Sequence, residues 1–185
     1  MQIELAPSVA SSVKGHFARR IIQRDETDIL ALGSPPPDSD PRILGLYAYW
    51  RYIAPAPGVL PGRQHFDPID TPKLLRWIWL ADVERDPLAF RYRLTGSEFV
   101  IAMGAEFRGR CIGEADPDFL QTPRGQHYIA VAEGQTGYLR GCPVVYPDRN
   151  HSYLERLALP LARDGKNVDM LLGLTVYDPI NRPLW

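Results

Sequence analysis

Hydrophobic and polar positions alternate most clearly in two short runs near the middle of the chain. Phe90, Tyr92 and Leu94 share one parity, while Arg91, Arg93 and Thr95 share the other. Strand side chains point to alternate faces, so this spacing predicts a half-buried strand over 90–95 with an apolar inner side and a cationic outer side. The run ahead of it, Trp77-Ile78-Trp79-Leu80-Ala81-Asp82-Val83, is rich in strand formers, and Asp86-Pro87 supplies a turn between them. The two runs therefore read as an antiparallel pair. After Gly96 the period changes, and Glu98-Phe99-Val100-Ile101-Ala102-Met103 reads as one short helix stopped by Gly104.

Earlier in the chain, Val9, Val13, Phe17 and Ile21 fall at four-residue steps with Arg19, Arg20 and Arg24 off the stripe. That is an amphipathic helix over roughly 8–25 whose apolar side covers either its own domain or a second copy. Three prolines in the segment 33–40 block helix and ladder hydrogen bonds, so it reads as a linker, and residues 1–40 as an extension ahead of the domain. Asp40 suits an N-cap and Pro41 a first helical position, which predicts a helix over 42–53. The segment 54–70 is irregular, and Thr71 with Pro72 can start a short helix that delivers the chain to the strand pair.

Further on, Thr122-Pro123 opens a helix that runs to Ala132. Residues 138–145 form a strand interrupted by Gly141 and Pro143, a pattern that belongs at a sheet edge. Leu157, Leu159 and Leu161 point one way in a strand over 153–161, and Asp164-Gly165 marks a tight turn. The last strand, 168–177, carries Val168, Met170, Leu172, Leu174 and Val176 on one parity and Leu171 on the other, which makes it central. Asp178-Pro179 stops it, leaving 179–185 as a tail. The sum is an α+β domain over 41–178: a five-stranded antiparallel sheet with short helices on one face.

Composition narrows the function. With 45% hydrophobic and 23% charged residues in 185, the chain can bury one core. A net charge of −1 gives no electrostatic reason to expect nucleic acid or an anionic membrane as partner. Cys111 and Cys142 are too few for a disulfide-built fold and point to a reducing compartment. No signal peptide opens the chain and no apolar stretch is long enough to span a bilayer, so it reads as cytoplasmic.

The order of elements resembles a PAS domain, and more narrowly a bacterial family of stand-alone PAS proteins. The residues that carry the likeness are Tyr49-Trp50, Pro61-Gly62-Arg63 with Asp67-Pro68, and Leu80-Ala81-Asp82-Val83. They continue with 90–96, Gly104-Ala105-Glu106 before Gly109-Arg110, and Leu159-Pro160-Leu161 with Asp164-Gly165. Where members tend to carry Leu-Pro ahead of the first strand, this chain has Arg76-Trp77, which leaves the start of that strand open. The resemblance implies strand order 2-1-5-4-3 and a sensory or interaction module rather than an enzyme. It also implies a small-molecule pocket between the concave sheet face and the helices, for an apolar or aromatic ligand. The candidate pocket residues are Arg63, Trp79, Tyr92, Phe99, His127 and Leu172. Signalling would act through a protein partner in trans, in a homodimer; the alternative is a pure protein-interaction scaffold whose pocket is filled by its own side chains.

Specific chemistry is sparse. Photoreactive flavin-binding PAS domains use a cysteine after a Gly-Arg pair, but around Gly109-Arg110-Cys111 the flanking residues of that motif are missing, so Cys111 reads as an inert thiol. Haem-binding members use a histidine on the helix before the third strand, a place that His127 occupies. Four histidines and two cysteines show no metal-ligand spacing. His65 and Asp67 could serve as base and acid, yet neither a nucleophile elbow nor a phosphate-cradling loop accompanies them. Arg63 could clamp a carboxylate, a ligand's or that of Asp67 or Asp82.

Overall fold

The computed structural model describes residues 29–141, 144–146 and 149–179. The amphipathic stripe at 8–25, Cys142 and the tail beyond Pro179 lie outside them. Seven strands form one antiparallel sheet: β1 (Ile29–Leu32), β2 (Ile78–Arg85), β3 (Leu88–Thr95), β4 (Gly137–Gly141), β5 (Val144–Tyr146), β6 (Arg149–Leu161) and β7 (Met170–Pro179). Their order is β1-β4-β6-β7-β2-β3, with β5 also on β6. The five expected strands thus stand in the expected neighbourhood, with β7 central; β5 belongs to the expected strand over 138–145, and β1 is an addition. Ahead of residue 40, Ile29–Leu32 pairs along β4, and Asp38 and Asp40 tie the following turn to the sheet. The segment 138–145 keeps one register along β6, with Gly141 opposite Leu154 and Val144 opposite His151, so β5 continues the line of β4. β4 is an inner strand instead of the expected edge, because β1 pairs along its other side.

Three α-helices flank the sheet: α1 (Pro41–Tyr52), α2 (Ser97–Met103) and α3 (Pro123–Ala132). Each starts or ends on the expected cap. The Asp40 carboxylate accepts from the Arg42 amide at 2.8 Å, Thr122 Oγ1 accepts from the Gly125 amide at 3.1 Å, and Gly104 closes α2 at φ 71°. Residues 72–77 are a series of turns instead of the expected short helix, with Leu74 bonded to Thr71 and Trp77 to Leu74.

The helices do not all lie on one face. α1 rests on the side of Leu80, Leu157, Leu159, Leu172 and Leu174, adding Ile43 and Leu46 to that core. α2 and α3 cover the other side, where Trp79, Ala81, Phe90, Tyr92 and Leu171 meet Phe99, Tyr128 and Val131. Both faces of the central strands are thereby buried, and residues 154–161 of β6 are buried throughout. A β-bulge at Leu80/Ala81 changes one further expectation: Tyr92 pairs with Ala81, but Leu94 pairs with Leu80 and is 43% exposed instead of joining Tyr92 inside.

Candidate functional site

The site is built on the aromatic face of β2, β6 and β7. Trp79 and Gly173 are register partners across β2 and β7. A Cβ on Gly173 would stand 2.0 Å from Cε2 and Cζ2 of the indole, so only glycine lets the ring lie across β7. That placement brings indole Nε1 to Thr175 Oγ1, to which it donates at 3.0 Å. Arg156 faces Thr175 from β6; its Nε donates to the same hydroxyl at 3.0 Å and its Nη1 to Tyr128 OH at 2.9 Å. Both lone pairs of Thr175 Oγ1 are used in this way. The result is a buried network, Trp79–Thr175–Arg156–Tyr128, that ties three strands to α3.

Aromatic rings close around it. Tyr92 lies 5.9 Å from Trp79 and 5.3 Å from Phe99, both edge-on, and Tyr128 lies 5.6 Å from Phe90 and 6.1 Å from Phe119. These are favourable ring geometries. Burial pushes the Tyr92 phenol far above its ordinary range, with Tyr128 adding to the effect and Arg156 opposing it. A phenol held neutral in this way contributes packing, not a charge.

The expected pocket residues separate into two groups. Trp79, Tyr92 and Phe99 meet on the aromatic face, and His127 stands at its border, 6.4 Å from Tyr128. His127 Nε2 donates to the Ala31 carbonyl of β1 at 2.8 Å, and the ring packs where a Cβ on Gly137 would be, 2.5 Å from its Cε1. Its pKa is lowered, chiefly by burial, against the opposing pull of the Ala31 bond. Leu172 does not join them. It pairs with Leu80 and lies in the core beneath α1, because its neighbour Leu171 takes the aromatic side. Arg63 is exposed on a loop of that same far side; its guanidinium donates to the Phe66 carbonyl at 2.8 Å and stacks on the Phe66 ring at 5.5 Å. Asp67 instead caps the Ile69 amide, and Asp82 pairs with Arg93.

Arg156, Thr175, Tyr128 and Gly173 were not anticipated. The signal for Arg156 was available: it shares its parity with Leu154 and Ala158 in a strand whose other parity carries Leu157, Leu159 and Leu161. Nothing comparable marked Thr175 or Gly173.

Cofactor chemistry finds no fitting donors on this face. His127 is engaged at Nε2, and Cys111 bridges to Arg91, whose side chain points away from the rings, while Ile112 takes the inward place. His65 Nδ1 accepts the Gly62 amide, so it and Asp67 serve separate turns rather than forming an acid–base pair. Among the described residues no cluster of His, Cys, Asp or Glu could hold a metal, and no helix is long and apolar enough to cross a membrane. The surface of the described residues includes a groove of about 310 Å³ between Gly45 and 70–74 and one of about 580 Å³ bordered by 58–60, Glu133, Gly134 and 164–166.

On the sheet's other face a second polar cluster fastens the turn before α1. Buried Glu155 accepts the Asp40 amide at 3.0 Å and the Tyr138 hydroxyl at 3.0 Å, and lies 3.4 Å from Arg140. Arg140 in turn binds Asp38 at 2.7 Å. The Arg140 hydrogen bond holds the Asp38 carboxyl below its usual range.

No curated protein matches the chain. A solved structure of an RNA-binding light-oxygen-voltage receptor is similar to it, at 18% identity and a TM-score of 0.44, over 81% of this chain and 38% of the receptor's. The family model described as PAS domain matches residues 39–176. The chain belongs to the PAS domain family.

Proposed function

We propose that this chain is a cytoplasmic PAS-type signalling adaptor whose interior is filled by its own side chains and which acts through a protein partner in trans. The observation that carries the reading is the indole of Trp79 lying across Gly173, with no room for a methyl group between ring and strand. A ligand pocket needs roughly 300 Å³ or more; inside the aromatic face that would require expelling Trp79 or Tyr128, each at most 2% exposed. The surface supplies the other half of the argument. Tyr52 and Ile69 are 83% and 82% exposed, and Tyr49, one turn before Tyr52, bonds Asp70 beside Ile69. Two such apolar side chains on one corner suit a contact with another protein.

The test has two arms. A photo-crosslinking residue at 52 or 69 should capture the same protein from the native cell, whereas one at exposed Gln135 should not; equal capture from all three sinks the partner claim. A thermal-shift panel of aromatic and apolar metabolites should leave the melting temperature unchanged. A compound at 100 times its dissociation constant would add about 2.7 kcal/mol and refute the filled interior.

A second reading, a sensor of a small aromatic acid, is favoured by one observation: the Arg156 guanidinium and the Tyr128 and Thr175 hydroxyls form a polar edge inside an aromatic wall. The same panel decides between the two. Haem through His127 is not carried forward, since Nε2 is committed to Ala31.

A further inference from the structure

The two edges of the sheet are treated differently. Along β3, the segment 109–112 lies against the outer side: Tyr92 donates to Arg110, Gly109 to Tyr92, and Ile112 to Phe90, at 2.7–3.0 Å. That edge is closed. β1 is the last strand at the other end of the order, and among the described residues nothing pairs with its outer side.

The hydrogen-bond phase of β1 fixes what that outer side offers. Antiparallel strands direct the N–H and C=O of alternate residues toward the neighbour. Gly33 donates to Thr136 at 2.7 Å in continuation of the Ala31↔Tyr138 and Ile29↔Arg140 register, so these residues face β4. Leu30 and Leu32 therefore present their N–H and C=O outward. Natural edges are commonly protected by charge, proline or a bulge; the run Ile29-Leu30-Ala31-Leu32 has none of these, and Leu32 is 46% exposed.

We propose that β1 is a strand-addition site and that its occupant is β1 of a second copy of this chain. The strand is its own complement. About a two-fold axis through Ala31, antiparallel pairing sets Leu30 against Leu32 of the other copy and Leu32 against Leu30. Each outward N–H then meets an outward carbonyl. Both leucines sit on the face where their register partners are Leu139 and Gly137, so the same pairing gathers the leucines of both copies into one patch and covers exposed Leu32. The strand is also ordered in advance: His127 holds the Ala31 carbonyl from α3, and Arg140 with Glu155 holds the following turn at Asp38 and Asp40. Pre-ordering lowers the entropic cost of association. The proposal stands whether the interior is filled or takes a ligand.

Two substitutions at residue 32 test it on the full chain. Leu32→Pro removes an outward N–H while leaving the ladder to β4 intact. Leu32→Lys keeps every backbone group and sets a charge into the leucine patch. By analytical ultracentrifugation at micromolar concentration, the natural chain should sediment as a dimer and both variants as monomers with unchanged circular dichroism. Amide exchange at Leu30 and Leu32 should slow as the natural chain is concentrated and stay fast in Leu32→Lys. A monomeric natural chain overturns the proposal, as does a dimer that Leu32→Lys retains. So does exchange at these amides that ignores concentration, which would assign any dimer to another surface or the edge to a different partner.

Discussion

Glu155 and Arg156 are consecutive residues of β6, and the sheet buries one on each face, 6% exposed in both cases. Glu155 accepts from the turn before α1 and from Tyr138; Arg156 donates to Tyr128 and Thr175. One peptide unit thus joins the cluster that fastens the N-terminal turn to the network inside the aromatic face. A second adjacent pair repeats the relation, for His127 holds β1 while Tyr128 holds Arg156.

Removing the Glu155 carboxylate leaves the Asp40 amide, the Tyr138 hydroxyl and Arg140 without it. Glu155→Ala should destabilise by about 3–5 kcal/mol, the range for breaking a buried ion pair from one side. Urea titration checks this, and a loss under about 1 kcal/mol would mean water replaces the carboxylate.

In the inner network, Tyr128→Phe deletes the acceptor of a charged donor and keeps the ring. A loss of about 1.5–3 kcal/mol is expected. Thr175→Val removes the hydroxyl shared by Trp79 and Arg156, and the double variant should fall short of additivity by about 0.5 kcal/mol or more. Strict additivity in denaturation would show that the two hydroxyls act independently.

Gly173→Ala places a methyl group inside the van der Waals surface of Trp79. It should cost at least the upper part of the roughly 1–3 kcal/mol usual for overpacking and shift the tryptophan emission. An unperturbed melting temperature would show that the indole does not lie where it is described. By contrast, Arg63→Ala removes one exposed hydrogen bond and one ring contact, and should change stability by less than about 1 kcal/mol.

His127 links stability to pH. Its folded pKa lies below the ordinary 6.5, so the unfolded chain binds the proton more readily. The stabilisation is present above 6.5 and is lost as pH falls from there through the lower folded value. Besides the Ala31 carbonyl, Arg156 and Arg124 face the ring, and both disfavour its charging. The carboxylates with lowered values, such as Asp38 and Asp40, act further down the scale. In melts between pH about 7.5 and about 5.5, the natural chain should therefore lose more stability than His127→Gln, which keeps a donor for Ala31 without the titration. Parallel curves would remove His127 from the explanation.

The sequence alone determined what is local. Strand parity at 90–92 and 168–176, the caps Asp40, Thr122 and Gly104, and the turn at Asp164-Gly165 all depend on residues within a few positions, and they give the strand order once the family likeness is admitted. Tertiary structure decided what depends on contacts distant in the chain. A helix beneath the sheet claimed Leu172 for the far face, a bulge turned Leu94 outward, and β4 drew 29–32 out of the expected extension. Arg156 illustrates the reason most directly. Its burial follows from Thr175 and Tyr128, 19 and 28 residues away, and no periodicity in β6 encodes where those partners stand.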